Sequence, residues 1–295
     1  MLPVEVMRQI RRLQLRARRA VRTLFGGEYR SAFKGAGLSF EEVREYQPGD
    51  DVRGIDWNVT ARMGTAFVKR YAEERELTVV LMVDFSASRL FGTGPTTKRA
   101  VAAELATVLA FAAVSHNDRV TLLGFTHEIE RHVRPGKGTR HALRVLREVL
   151  YFEPRSPRTD LAACLDALNA LHRRRAIVFL VSDFLDDGYD DAFRRTARRH
   201  DLVAVRTSDA RELDWPDAGL IRLEDAETGE QAVIDTGDAA FRTQFAARSR
   251  DRRAAFDALA RAARVDVIDV TTDGKHFDAL LQFFRTRERR RRVSR

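Results

Sequence analysis

The sequence predicts an α/β fold whose core is an open, mostly parallel, doubly wound sheet. Two apolar runs, 77–85 and 176–184, are rich in β-branched residues and have the length of buried strands. Segments with helical periodicity lie around them, at 97–114, 139–152 and 159–175. This alternation of strand and helix predicts parallel βαβ units with right-handed crossovers.

The alternation continues toward the C-terminus and is interrupted once. Further strands are predicted at 118–125, 201–208 and 264–272, and further helices at 191–200 and 277–289. Between 220 and 236 the pattern breaks, and the residues predict an inserted β-hairpin that turns at Thr228 and Gly229. Nothing in the sequence assigns a role to this hairpin.

Four segments are predicted along the chain. They are a basic amphipathic helix with its linker (1–34), a turn-rich segment (35–76), the α/β domain (77–285) and an arginine-rich tail (286–295). Within the second segment we expect short strands near 55–58 and 66–71, with Trp57 as a packing anchor. Cys164 lies in an apolar helical pattern and is expected in the core.

Composition excludes several classes of protein. No apolar run approaches the roughly 20 residues that span a bilayer, and the basic N-terminus has no secretory pattern. The single cysteine, Cys164, excludes an internal disulfide and a cysteine-cluster metal site. These features predict a cytoplasmic protein without membrane insertion.

The net charge of +9 is unevenly distributed, and the basic ends suggest one alternative function. Arginines crowd 8–22 and 285–295, whereas 211–238 is acidic. Basic ends of this kind can bind nucleic acid. We favour a solvated helix face and a frayed tail, because no aromatic interleaving or RNA-binding signature accompanies the arginines.

Polar side chains gather where the two apolar strands end. Asp84 follows the first strand and is succeeded at two-residue spacing by Ser86 and Ser88, while Asp183 ends the second strand. Thr159 opens a helix at an equivalent topological position. Because ligands bind at the carboxyl ends of strands in such sheets, these oxygens suit a hard divalent cation there. The simpler alternative is that the aspartates only cap helices and bind loop N–H groups.

This pattern resembles the metal-ion-dependent adhesion site of von Willebrand factor type A domains. The motif D-x-S-x-S, followed by a distant Thr and Asp, is met by Asp84, Ser86, Ser88, Thr159 and Asp183. The resemblance implies Mg²⁺ (or Mn²⁺) held directly by the two serines, and by Thr159 in the ligand-bound form, with the aspartates acting largely through water. Neutral hydroxyls leave the ion's charge under-neutralised, so an acidic partner side chain can complete its coordination. The resemblance thus implies a docking point more than a catalyst.

The segment before the first apolar strand narrows the resemblance. Its pattern R-x-Y-x-x-G-D-D-x-R-x-I-D-W resembles the signature of the bacterial domain of unknown function 58 family, and it is met by Arg44, Tyr46, Gly49, Asp50, Asp51, Arg53, Ile55, Asp56 and Trp57. The resemblance implies a type A-like domain at 77–285 and a MoxR-type AAA+ ATPase as partner, acting together on a client protein that the sequence does not identify.

Three functions remain open at this stage. The first is a Mg²⁺-dependent, non-enzymatic adaptor that works with the ATPase in protein maturation or remodelling. The second is a nucleic-acid-associated basic protein, and the third is a metal-dependent hydrolase built on the same carboxylates. No nucleophile elbow, H-E-x-x-H motif or P-loop occurs in the chain, so no catalytic residue is predicted.

Overall fold

The computed structural model describes residues 4–24, 28–33, 42–52, 55–70, 76–94 and 96–293. Its strands are β1 (Glu42–Glu45), β2 (Phe67–Arg70), β3 (Thr78–Asp84), β4 (Arg119–Phe125), β5 (Ile129–Gly136), β6 (Ile177–Ser182), β7 (Asp201–Ser208), β8 (Leu220–Glu224), β9 (Gln231–Asp235) and β10 (Asp266–Thr271). Its helices are α1 (Val4–Leu24), α2 (Glu28–Phe33), α3 (Trp57–Met63), α4 (Lys98–Ser115), α5 (Gly138–Tyr151), α6 (Leu161–Leu171), α7 (Asp190–Arg199), α8 (Ala210–Leu213), α9 (Ala239–Ala263) and α10 (His276–Val293).

A six-stranded sheet with the order β10-β7-β6-β3-β4-β5 forms the centre of the fold. Every neighbouring pair is parallel except β4 and β5, which are antiparallel. Numbered in chain order within this sheet, the strands run 3-2-1-4-5-6, which is a doubly wound arrangement. The predicted open, mostly parallel α/β sheet is confirmed, and its antiparallel edge strand fits the expected type A-like fold.

Each face of the sheet carries its own apolar core. Val79, Leu81 and Val83 of β3 face one core, together with residues of α1, α2, α4, α5 and α10. Val80 and Met82 face the other, together with residues of α6, α7 and α9. This strict alternation explains why the strand reads as a continuous apolar run, since both of its faces are covered. Among the described residues, no helix is both long and apolar enough to cross a bilayer.

Helix α1 binds to the domain through its apolar side. Leu13, Ala17 and Val21 are buried, and the helix packs along α4. The guanidinium of Arg18 lies 5.9 Å from the ring centroid of Phe111, so part of the basic face also contacts protein.

The turn-rich segment differs in part from its prediction. β1 pairs with β2, and Arg44 donates to both carboxylate oxygens of Asp50 at 2.7 and 2.8 Å. The strand expected at 55–58 is wrong, because only Ile55 forms a bridge, with Val68. Asp56 accepts N–H bonds from the two residues after Trp57 and so begins α3 instead. Trp57 is 70% exposed, so it is not the expected packing anchor.

The structure confirms two further predictions and contains elements that the sequence did not predict. The hairpin is confirmed as β8 paired with β9, and Cys164 is fully buried as expected. Sequence analysis missed β5 and α9. In β5, charged residues outnumber apolar ones, and only Val133 is fully buried. This composition is typical of an edge strand that is protected from pairing with another chain.

The expected frayed tail is wrong for residues 286–293, because α10 continues through them. Arg287 donates to both carboxylate oxygens of Asp201 at 2.5 Å and lies 3.3 Å from Asp266. Its guanidinium also stacks 4.5 Å from the ring centroid of Phe33. The C-terminal arginines therefore bind α10 to the first residues of β7 and β10.

We expect Arg287→Ala to lower the free energy of unfolding by about 1.5–3 kcal/mol, because charged hydrogen bonds to Asp201 are lost. Thermal and urea denaturation monitored by circular dichroism measure the change. Arg289→Ala, at an exposed position of the same helix, is the matched control and should leave stability unchanged. Equal melting of both variants would show that the arginine contacts add nothing.

Candidate metal and docking site

The candidate site lies where the strand order of the sheet reverses. β3 is the first strand of the sheet in the chain and β6 is the fourth, and the two are neighbours. The connections after them leave in opposite directions, which opens a crevice at their carboxyl ends. Asp84 is the last residue of β3 and Asp183 directly follows β6, so the backbone brings both carboxylates to this crevice.

Asp84 is buried and hydrogen-bonds to both strand-end segments of the site. Its exposed fraction is 1%, and its Oδ1 accepts the N–H of Ser86 at 2.9 Å. Its Oδ2 accepts the hydroxyl of Ser182 at 2.8 Å. Burial and the nearby Asp183 carboxylate raise the pKa of Asp84, although the Arg89 guanidinium opposes the shift. The carboxylate therefore holds the loop after β3 against the end of β6.

The two serines point to the same place. The hydroxyl oxygens of Ser86 and Ser88 are 3.1 Å apart, and Ser88 donates to Oδ2 of Asp183 at 2.9 Å. A short 3₁₀ turn at Ala87–Leu90 shapes the loop, and the N–H of Ala87 donates to the carbonyl of Pro157 at 3.0 Å. Four of the five predicted residues are thus linked by hydrogen bonds into one constellation.

Thr159 is not part of that constellation in the structure. Its hydroxyl donates to Oε1 of Glu227 at 2.9 Å, and Glu227 lies in the turn between β8 and β9. Asp160, rather than Thr159, caps α6 by accepting the N–H of Ala163 at 2.8 Å. Sequence analysis correctly placed Thr159 near a helix start but could not predict that the inserted hairpin would bind its hydroxyl.

Lys98 is a site residue that sequence analysis missed. Its side chain is fully buried, and its ammonium donates to Asp183 Oδ2 at 2.8 Å and to Glu212 Oε1 at 2.5 Å. Burial alone would raise the pKa of Asp183, but the Lys98 ammonium and Arg89 guanidinium outweigh it and lower that pKa. The signal was a lysine beginning a helix that is apolar nearly all round, where few positions face water.

A second buried cation supports the same crevice. Arg89 is 1% exposed and donates to the hydroxyl of Thr207, and it also lies 3.5 Å from the carbonyl of Lys98. The local charges are then the carboxylates of Asp84, Asp183 and Glu212 against the cations Lys98 and Arg89. Buried cations and carboxylates are therefore interleaved at this crevice.

The donor set fits a hard divalent ion. Two hydroxyls and two carboxylates supply only oxygen ligands, which Mg²⁺ prefers. Within the described residues there is no group of three or more His, Cys, Asp and Glu side chains able to hold a metal. Any metal here would therefore depend on Ser86 and Ser88, with Asp84 and Asp183 beside them. The Lys98 ammonium competes for one oxygen of Asp183.

Comparison with known proteins identifies the family. The sequence profile described as "Protein of unknown function DUF58" matches residues 42–255, which is most of the chain. The chain belongs to the DUF58 family. An uncharacterized protein from Mycobacterium tuberculosis is 32% identical over 284 residues, covering 95% of this chain and 89% of that protein. A Mycobacterium bovis protein, also uncharacterized, matches to the same extent.

Solved structures match the DUF58 chain at low sequence identity and with TM-scores below 0.5. The conserved hypothetical protein BatB from Bacteroides thetaiotaomicron superposes with a TM-score of 0.44 at 13% identity, over 72% of this chain and 99% of that one. The von Willebrand factor type A domain of SpRpn10 superposes with a TM-score of 0.39 at 12% identity, over 70% of this chain and 95% of that one.

We expect Lys98→Met to destabilise the protein by about 3–5 kcal/mol at neutral pH, because it leaves a buried carboxylate without its cation. A folded-state pKa below the unfolded value contributes stability above the unfolded pKa and loses it as pH falls through the folded pKa. The gap between wild type and variant should therefore shrink toward acid pH, which urea denaturation at several pH values measures.

Lys137→Met is the matched control for that measurement. Lys137 pairs with Glu76 near the surface, where water screens the interaction, so little change is expected at any pH. A Lys98→Met variant as stable as this control would show that Asp183 does not need the ammonium.

Proposed function

We propose that this DUF58 chain is a Mg²⁺-dependent (or Mn²⁺-dependent) protein–protein interaction adaptor that acts with a MoxR-type AAA+ ATPase in maturing or remodelling a client protein. The observation that carries the proposal is the convergence of Asp84, Ser86, Ser88 and Asp183 at the switch point of the sheet. The ATPase and the client come from the family resemblance. An ATP-driven partner needs a compartment with ATP, so the proposal keeps the expected cytoplasmic location.

The chemistry of the four side chains supports docking. A bound divalent ion would supply a positive charge for the carboxylate of a partner. Ser86 and Ser88 bring no charge to the crevice, and the Lys98 ammonium already offsets part of the charge on Asp183. Little of the ion's charge would then be neutralised within the chain. An acidic side chain from a partner is the natural complement of such a crevice.

The same contacts disfavour the hydrolase alternative. The hydroxyls of Ser86 and Ser88 hydrogen-bond to each other and to Asp183, and none of these described contacts involves a histidine. A serine nucleophile needs an adjacent base that accepts its proton, and a carboxylate with a lowered pKa is a poor base. We therefore propose a non-enzymatic role.

The nucleic-acid alternative loses part of its basis because several arginines already have protein partners. Arg287 and Arg290 contact the carboxylates of Asp201 and Asp266. In α1, Arg16 lies 3.5 Å from Glu104, and Arg18 stacks on Phe111. The three arginines that face carboxylates are partly neutralised, which weakens the electrostatic attraction to phosphates.

Metal binding is the first test. We expect isothermal titration calorimetry to detect Mg²⁺ or Mn²⁺ binding at millimolar concentration, and Ser86→Ala plus Ser88→Ala to weaken it by at least about tenfold, since both hydroxyl ligands are lost. Ser156→Ala, in the neighbouring loop, is the matched control and should bind like wild type. Equal binding by the double variant would remove the serines from the metal site.

Partner binding is the second test, made with a purified MoxR-type ATPase. Surface plasmon resonance should show binding that falls with EDTA, with the double serine variant and with rising salt, because the contact is electrostatic. Arg198→Glu, exposed on α7 away from the crevice, should have little effect. Undiminished binding by the double serine variant in EDTA would move the interface elsewhere, with the segment around Asp50 to Trp57 as the next candidate.

A further inference from the structure

A cavity of about 170 Å³ adjoins the candidate site on the β7 side. It lies between the ends of β6 and β7, α8 and one face of α9, and Asp183 forms part of its wall. Its largest apolar lining residues are Phe184, Leu213, Phe245 and Phe256. A dry cavity of about 150 Å³ accepts a benzene ring in another protein, so this volume suits one aromatic or branched side chain.

The walls of this cavity are held in place by aromatic packing. The rings of Phe184 and Phe256 have centroids 4.3 Å apart, and the Arg206 guanidinium lies 5.1 Å from the Phe256 centroid. Phe184 has a φ of 57°, a left-handed conformation that a bulky residue rarely adopts. Strained backbone of this kind concentrates at functional sites, where surrounding packing enforces it.

The charged groups that line the cavity determine which charge a bound ligand should carry. Asp183 and Glu212 pair with Lys98, and Arg206 and Arg253 pair with Asp269. Among the ionised groups that line the cavity, Arg252 alone makes no ion pair within the described part of the chain. An apolar occupant that carries a neighbouring carboxylate would satisfy both the walls and this guanidinium.

We propose that this cavity is a specificity pocket for a partner protein segment in which an aromatic side chain is followed by an acidic residue. The aromatic side chain fills the cavity, and the carboxylate pairs with Arg252 at its mouth. Leu185, which is 46% exposed at the rim, adds apolar surface for the flanking chain. The inference rests on the proposed role of this sheet edge in protein docking, but it does not require a metal.

Trp215 provides a direct reporter of occupancy. Its ring centroid lies 6.3 Å from that of Phe245 in the cavity wall, and its Nε1 is buried without a described hydrogen-bond partner. The chain has only two tryptophans, and Trp57 is exposed and outside the cavity lining, so the two indole N–H signals can be assigned with Trp57→Phe.

The test is a ¹⁵N–¹H titration of the full chain in EDTA with the peptide Ac-Ala-Phe-Glu-Ala-NH₂ up to about 10 mM, because one small pocket gives millimolar affinity. The Trp215 signal should shift and the Trp57 signal should not. Replacing Phe with Ala should abolish the shift, and replacing Glu with Gln should weaken binding about two- to fivefold. Arg252→Gln should weaken binding by a similar factor, while Arg250→Gln, an exposed control on α9, should not.

Three outcomes of the peptide titration would overturn the proposal. They are no shift of Trp215, equal binding of the Phe and Ala peptides, or no effect of both the Gln peptide and Arg252→Gln. A Trp215 shift that follows protein concentration without peptide would put a second copy in the pocket and would also overturn it. Because EDTA is present throughout, a failure here is distinct from a failure of Mg²⁺ binding in calorimetry.

Discussion

The buried ammonium of Lys98 is the contact on which the candidate site depends. It joins the start of α4 to Asp183 after β6 and to Glu212 of α8, and Asp183 in turn accepts the hydroxyl of Ser88. Such a pair adds little net stability compared with apolar packing, but separating it strands a charge in the interior. Loop arrangements that part these groups are therefore disfavoured, and the crevice keeps one shape.

The central strands could be predicted from the sequence more completely than the edge strand and the peripheral helices. The runs 77–85 and 176–184 are covered on both faces, so their apolar character alone predicted β3 and β6 and thereby the positions of Asp84 and Asp183. β5 was missed because an edge strand needs charge on its exposed side. α9 was missed because few of its residues are buried, among them Phe256, Leu259 and Ala260.

Contacts between distant segments could not be predicted in the same way. Lys98 and Glu212 are separated by 114 residues, and Thr159 and Glu227 by 68. Neither pair belongs to a local motif, since each depends on how α8 and the inserted hairpin are placed after folding. Likewise, Arg287 lies in a segment whose arginine-rich composition is typical of a solvated tail. Its partner, Asp201 at the start of β7, could be identified only from the folded structure.

The contact between the hairpin and Thr159 couples two parts of the molecule. β8 and β9 form a separate two-stranded sheet, and their exposed Leu220 and Val233 contribute little to a core of their own. Any ligand that accepts a hydrogen bond from the Thr159 hydroxyl must first displace Glu227, at a cost of up to about 1.5–3 kcal/mol for a charged hydrogen bond. Thermodynamic reciprocity then applies. An interaction that stabilises the contact between the hairpin and Thr159 weakens binding of that ligand, and the ligand weakens the hairpin contact by the same factor.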